Sequence, residues 1–186
     1  MNPNTLIELK ELLFQYNIDI KNWNHERGNK TIEQLLIEIQ EGESELKIVD
    51  NNLIRLLKVS SIDVKIKLEN RYFLLIEDKQ IFSNGVERKR ALNTITEKLK
   101  KNENPLQGAY RGLEEEIGLK LEEKLTFKGE KIEEKISPNY PSLLTRYEFY
   151  NYSIILNEKY LKYIHFSEYQ EEEKLLSLFT LIPISM

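Results

Sequence analysis

The apolar residues of the chain follow two different periods, which predict helices near the N-terminus and strands after about residue 50. In residues 5–16 and 31–40 they recur every three or four positions, the spacing of amphipathic helices. Each of these segments begins with a threonine and has Glu8 or Gln34 three residues later, which is the composition of a capping box. Gly42 is expected to end the second helix.

From Leu53 onward apolar and polar residues alternate, which is typical of half-buried strands. Residues 61–68 and 71–82 are predicted strands joined by a short polar turn, and Asn84-Gly85 predicts a hairpin into a third strand over 86–92. Further strands are predicted over 124–137, 146–156, 164–170 and 174–184, with an acidic turn at Glu171–Glu173 in the last hairpin.

One helix is predicted among the strands. Asn104 is a suitable N-cap, Pro105 suits the first helical position, and Gly118 suits the residue just past the end. Strands before and after a central helix predict an α/β sandwich with a mixed sheet. We interpret residues 1–43 as an N-terminal helical extension and residues 44–186 as the main domain.

Composition limits the chemistry. The 186 residues carry a net charge of −4, which argues against a broad nucleic-acid-binding surface. The absence of cysteine excludes disulfides and thiolate metal sites, and two histidines are too few for a multi-histidine centre. Any bound metal is therefore expected to have oxygen ligands, which suits Mg²⁺, Mn²⁺ or Ca²⁺.

The location predicted from the sequence is the cytoplasm. No apolar run has the length of a membrane-spanning helix, and the N-terminus lacks the basic and apolar regions of a signal peptide. We therefore expect no membrane partner.

A set of charged residues in and before the central helix has a specific spacing. It resembles the Nudix box, G-x5-E-x7-R-E-U-x-E-E-x-G-U, in which U is aliphatic. The matching residues are Glu103, Arg111, Leu113, Glu115, Glu116, Gly118 and Leu119. Two positions depart from the pattern: Glu97 stands where the family has its first glycine, and Gly112 stands where it has the glutamate after the arginine. That glutamate is usually a metal ligand in the family.

The resemblance implies a Nudix-type α/β/α sandwich and a divalent-metal-dependent hydrolase. Members of the Nudix family hold Mg²⁺ or Mn²⁺ against the diphosphate of a nucleoside diphosphate derivative, and a water molecule then attacks phosphorus. Carried over to this chain, Glu115 and Glu116 would be metal ligands. The catalytic residues would be Glu116, Glu103 as a supporting acid, and Arg111. In the family this arginine normally orients the glutamate that is missing here. In this chain Arg111 can instead pair with Glu115 or a phosphate.

The helical period supports part of this assignment without the family. Glu115 and Glu116 fall within one broad stripe, whereas Glu114 points to the other side and is interpreted as a solvated acid. Adjacent carboxylates repel each other unless a cation lies between them. Gly108 and Gly112 share that stripe, and the space they leave can admit a ligand group or the close approach of a strand or loop.

The sequence leaves several alternatives open for other residues. Glu148 and Glu168 are both candidates to replace the missing ligand. The basic residues 88–90, 98, 100 and 101 can form a phosphate-binding patch or protect an exposed edge strand, and the tyrosines at 140, 147, 150 and 152 can stack on a nucleobase or fill the core.

The function has two main interpretations. The first is the hydrolase; the second is a catalytically inactive Nudix-like module that binds a nucleotide or a protein. The two N-terminal helices can pack on the main domain, cover its ligand site or form a homodimer contact, and a purely structural role for them is a third interpretation.

Overall fold

The computed structural model describes residues 3–171 and 174–185, with the backbone alone for residues 90 and 91. Its α-helices are α1 (Leu6–Gln15), α2 (Ile32–Gln40) and α3 (Pro105–Ile117). Its strands are β1 (Glu45–Val49), β2 (Asn52–Leu68), β3 (Arg71–Phe82), β4 (Glu87–Leu92), β5 (Ile95–Lys98), β6 (Thr126–Ile136), β7 (Leu144–Asn157), β8 (Ser167–Gln170) and β9 (Leu175–Ile184). Two short 3₁₀ helices span His25–Arg27 and Glu158–Tyr163.

The predicted starts of α1 and α2 are confirmed, and the predicted capping hydrogen bonds are present at both. Thr5 and Thr31 each accept a hydrogen bond from the backbone three residues later, and the Glu8 and Gln34 side chains return the bond, so both capping boxes form. Such reciprocal caps satisfy backbone N–H groups that have no partner within the helix.

The strands form a sheet in the order β6-β7-β2-β3-β9-β8, in which β1 and β5 also pair with β2 and β4 pairs with β3. The predicted α/β class with a mixed sheet is confirmed. Strands β1 and β5 were not predicted, because each is too short to show a clear alternation. The predicted acidic turn extends to residues 172 and 173, which lie outside the described residues.

The chain divides into two compact units, each made of several segments of the sequence. Unit 1 consists of Met1–Lys58, Lys98–Glu103 and Lys131–Phe149. Unit 2 consists of Val59–Glu97, Asn104–Glu130 and Tyr150–Met186. The predicted boundary after residue 43 stays a prediction.

Unit 1 has its own apolar core, and a buried ion cluster lies beside it. The core is built from α1 and α2 with Trp23 and Tyr140, whose rings lie 5.0 Å apart. Glu38 on α2 is 5% exposed and forms ion pairs with Arg55, Lys98 and Lys30. We refer to these four residues as the Glu38 cluster. Burial alone would raise the pKa of Glu38, but the three cations outweigh it and hold that pKa well below its usual value.

Unit 2 has a second core between α3 and the sheet. The alternating residues of β2 that were predicted to point inward, Ile62, Val64 and Ile66, are fully buried there. Ala109, Leu113 and Ile117 give α3 its buried face. The glutamates of α3 are therefore carried by a helix that the core holds in place. Among the described residues no helix is long and apolar enough to cross a membrane.

Candidate functional site

Helix α3 is fixed at both ends. The Asn104 side chain accepts a hydrogen bond from the Leu106 backbone at 2.8 Å, and Pro105 occupies the first turn. At the other end Gly118 has a φ of +69°, which favours glycine, and a Cβ there would lie 2.5 Å from the His165 ring. The His165 backbone N–H also donates to the Ile117 carbonyl at 2.8 Å.

Three consecutive glutamates, at positions 114 to 116, occupy the last turn of α3, where no basic residue accompanies them. The helix dipole disfavours negative charge at a C-terminus, so this placement opposes local stability. Glu114 is exposed and pairs with Lys120, which is also exposed, and this confirms the prediction that Glu114 is a surface acid. Of the other two glutamates, Glu115 is exposed and Glu116 is partly buried.

Glu116 is partly buried beside three further carboxyl groups from other elements, and we refer to these four residues as the Glu116 cluster. Burial and then the negative charge of Glu168 raise the pKa of Glu116 to about 9. The charges of Glu97 and Glu77 act in the same direction. Like charges brought together in a poorly solvated place favour the protonated form of a carboxyl group.

A hydrogen bond with Glu168 on β8 also raises the pKa of Glu116, so the protonation of one carboxyl group depends on that of the other. Burial raises the pKa of Glu168 as well, although hydrogen bonds from Gln170 and Glu116 oppose the rise. The Gln170 amide donates to Glu168 at 2.9 Å. Of the two carboxylates considered as replacements for the missing ligand, it is Glu168 that lies beside Glu116.

Glu77 reaches the cluster from β3 and is 5% exposed. The pairing of β3 with β4 and β9 is irregular between Glu77 and Lys79, as in a β-bulge. The Ser177 hydroxyl on β9 donates to Glu77 at 3.3 Å. A bulge changes the direction of a side chain, which explains why an acid within an apolar strand can face this site.

Arg111 connects two of the acids near the cluster. One guanidinium nitrogen lies 2.8 Å from the Glu97 carboxylate and 2.8 Å from that of Glu115, one turn further along α3. Of the two partners left open for Arg111, Glu115 or a phosphate, the structure contains the pair with Glu115. Glu115 is 49% exposed at its side chain, so it lies at the solvent side of the site while Glu116 lies inside it.

Gly112 is buried against Glu97. A Cβ on Gly112 would lie 2.6 Å from the Cβ of Glu97 and 3.2 Å from its Cγ, which is closer than side chains approach each other. The space beside this glycine could admit a ligand group or the close approach of a strand or loop. The structure shows the close approach of a strand.

Glu103 and Glu148 lie in unit 1, in a groove of about 380 Å³ that also has Lys58, Lys100 and Lys101 in its lining. The Glu103 carboxylate accepts a hydrogen bond from the Lys100 backbone at 2.9 Å and so closes the loop before α3. Its role as a supporting acid stays a prediction.

The secondary candidates are mostly engaged in the fold. Lys98, which was grouped with a phosphate-binding patch, is bound to Glu38 and Glu43 at 2.8 and 2.6 Å. Tyr140 is fully buried, which matches the core role rather than base stacking. Arg88 donates to Gln80, while the side chain of Arg90 lies outside the described residues.

The donor chemistry of the Glu116 cluster suits a hard divalent cation, because every candidate ligand is a carboxylate oxygen. Within residues 3–171 and 174–185 no three acidic or histidine side chains are already spaced to hold an ion. A cation would therefore have to draw these carboxylates closer together and displace the proton that burial and the neighbouring charges favour on Glu116.

Comparison with solved structures finds loose likenesses to Nudix proteins. A Caenorhabditis elegans Ap4A hydrolase in a binary complex has 14% identity and a TM-score of 0.42, with 68% of this chain and 80% of that chain covered. A MutT/nudix family protein from Enterococcus faecalis has 13% identity and a TM-score of 0.48, with 88% and 54% covered. The NUDIX domain of Shewanella oneidensis NrtR, complexed with ADP ribose, has 10% identity and a TM-score of 0.39, with 69% and 73% covered. No protein-family model and no curated protein matches the sequence.

Sequence reasoning did not find two members of the cluster. Glu77 was within a predicted strand, and its signal was the acid that ends the otherwise apolar segment "FLLIE". Glu97 was noted as a departure from the family pattern, yet its contact with Gly112 joins residues 15 positions apart, on a strand and a helix.

Proposed function

We propose that the protein is a divalent-metal-dependent hydrolase of the Nudix type, which cleaves a phosphoanhydride bond in a nucleoside diphosphate derivative. The observation that supports this most is the Glu116 cluster. Glu168, Glu97 and Glu77, on β8, β5 and β3, lie near enough to Glu116 on α3 for their negative charges to raise its pKa. Such an arrangement costs stability unless a positive ligand offsets it.

The ligands for Mg²⁺ or Mn²⁺ would be Glu116, with Glu168 beside it and Glu115 at the solvent side. When bound, the cation would neutralise the phosphates and lower the pKa of an attacking water molecule. The side chains of this protein would orient the reactants: Arg111 holds Glu97 and Glu115 by charged hydrogen bonds, and Glu168 can accept a proton at its carboxylate oxygen.

The test is turnover of defined substrates. The purified protein is incubated with Mg²⁺ or Mn²⁺ and a set of nucleoside diphosphate derivatives that includes ADP-ribose and Ap4A, and released phosphate or nucleoside monophosphate is measured. We expect Glu116→Gln to abolish release, because it removes a charged ligand and keeps the shape. Retained turnover in this variant would refute the assignment.

Glu114→Gln is the matched control. It changes the same residue type on the same helix turn, but Glu114 is exposed and pairs with exposed Lys120. We expect its turnover to equal that of the wild type. Equal losses in both variants would show that the last turn of α3 matters for a reason other than the cluster.

The second candidate is a catalytically inactive module that binds a nucleotide in the same place. The packing of Glu97 on Gly112 favours it, because it leaves residue 112 without a carboxylate. Calorimetry that shows nucleotide binding unaffected by EDTA, together with no turnover, would support this candidate. Metal-dependent turnover would eliminate it.

A further inference from the structure

The two positions at which the chain departs from the Nudix box are in contact with each other. Glu97 stands where the pattern has a glycine, and Gly112 stands where it has a glutamate. A Cβ on Gly112 would lie 2.6 Å from the Cβ of Glu97. The space beside residue 112 is therefore filled by the side chain of residue 97, and the two departures form one structural feature.

The Glu97 carboxylate also has the partner expected of the missing one. In the family pattern the arginine orients the glutamate that follows it on the helix. Here the guanidinium of Arg111 lies 2.8 Å from the Glu97 carboxylate, and the side chains are 18% and 13% exposed. A charged hydrogen bond between partly buried groups fixes the position of the carboxylate.

We propose that glutamate and glycine have exchanged positions, so that Glu97 supplies from β5 the metal-binding carboxylate that the pattern places at residue 112 of α3. The inference rests on the proposed function, since it assigns a further ligand to the same site. It explains why Arg111 is present without its usual neighbour, and why a glycine is tolerated within α3 despite its low helix propensity.

Manganese binding to the purified protein, measured by titration calorimetry, tests the role of the carboxylate without reference to turnover. Glu97→Gln keeps the contact with Gly112 and removes the charge. We expect it to weaken Mn²⁺ binding by about tenfold or more, in the range found when the support of a metal site is removed. Glu114→Gln, on the exposed side of α3, is the matched control and should bind Mn²⁺ as the wild type does.

A double-variant cycle tests the exchange itself. Gly112→Glu alone introduces a clash with Glu97, and we expect the melting temperature to fall by roughly 2–10 °C. Glu97→Gly alone removes the carboxylate, and we expect weaker Mn²⁺ binding. The double variant E97G/G112E restores the family pattern. It should recover both the melting temperature and the Mn²⁺ affinity, which a sum of two independent defects would not do.

The outcomes separate this inference from the function on which it rests. A wild-type protein that binds no Mn²⁺ overturns both. A wild-type protein that binds Mn²⁺, with Glu97→Gln binding equally tightly, overturns the exchange alone. Additive losses in the double variant also overturn the exchange, even if the protein is a metal-dependent hydrolase.

Discussion

The two units of the molecule each contain a group of buried or partly buried charges, and the groups are balanced in opposite ways. In unit 1 the Glu38 carboxylate contacts three cations, Arg55, Lys98 and Lys30, and the Ser44 hydroxyl donates to it at 3.0 Å. In unit 2 the strongest influences on Glu116 are burial and three other carboxyl groups. In the first group three cations contact one carboxylate, whereas the charges that act most strongly on Glu116 in the second group are those of other carboxyl groups.

This difference separates a structural cluster from a candidate binding site. Taking a charge out of water is costly, and a protein usually compensates by pairing it. Glu38 meets that expectation and its pKa is held low. Glu116 does not, and its pKa is raised to about 9. A cluster that is unfavourable by itself is explained if a ligand from solution completes it.

The largest expected difference is in the response to neutralising substitutions. Glu38→Gln leaves buried Arg55 without its counter-charge, and we expect a loss of about 3–5 kcal/mol in the free energy of unfolding. Glu116→Gln removes a carboxyl group that the folded protein must keep protonated, and in EDTA we expect the free energy of unfolding to be unchanged or increased. Urea unfolding of both variants measures these free energies. Similar losses of stability in Glu38→Gln and Glu116→Gln would contradict the difference between the two clusters.

The two clusters should also give opposite pH dependences in EDTA. The lowered pKa of Glu38 contributes stability that is present above its unfolded value and is lost as the pH falls through the folded value. The folded protein binds more protons at Glu116 than the unfolded chain does between about 4.5 and 9, so stability falls as the pH rises through that range. Thermal melts across this range should show the fall in the wild type, and Glu116→Gln should flatten it; an unchanged slope would contradict the assignment.

Metal should stabilise unit 2 through the Glu116 cluster. At a Mn²⁺ concentration 100 times its Kd, binding to the native state alone adds about 2.7 kcal/mol, or roughly 5–10 °C in melting temperature for a chain of this size. Glu116→Gln should lose this shift, while Glu114→Gln should keep it. An equal shift in all three proteins would indicate binding elsewhere.

The glycines that follow α2 and α3 offer a smaller and sharper comparison. Gly42 and Gly118 both have positive φ, and a Cβ on either would lie 2.5 Å from a neighbouring side chain. Alanine at either position should cost about 1–2 kcal/mol through backbone strain, with an added cost from the contact. We expect only Gly118→Ala to weaken Mn²⁺ binding, because Gly118 ends the helix that carries Glu116.

Gly85→Ala is the control for that comparison. Gly85 also has a positive φ, of +80°, but no atom lies within 4 Å of the added Cβ. It should show the cost of backbone strain alone, measured by urea unfolding. If Gly118→Ala and Gly85→Ala lose the same stability, the His165 contact contributes nothing.

Much of the fold followed from local patterns. Capping boxes at Thr5 and Thr31, the alternation along β2 and the hairpin signal at Asn84-Gly85 all depend on residues close in sequence, and the structure contains the corresponding helices and strands. Strands β1 and β5 were missed because four or five residues give too short a period.

The site was harder to predict, because its residues come together from distant segments. Spacing on one helix gave Glu115 as one of two possible partners of Arg111, and it placed Glu114 correctly in solvent. The roles of Glu115 and Glu116 stay predictions. It did not identify Glu77 or assign a role to Glu97. A bulge in β3 directs the Glu77 side chain toward the site, and Glu97 reaches it because its strand packs against Gly112 of α3. Contacts between segments that are distant in sequence leave no periodic pattern from which they can be predicted.

The most direct test of the account is anomalous diffraction from a crystal soaked in Mn²⁺. We expect a peak at about 2.0–2.5 Å from carboxylate oxygens of Glu116, Glu168 and Glu115, and also of Glu97 if it supplies the exchanged carboxylate, with the hydrogen bond between Glu116 and Glu168 broken. If no peak is found there, and Glu116 remains hydrogen-bonded to Glu168 at saturating Mn²⁺, the cluster is not a metal site and the proposed activity fails with it.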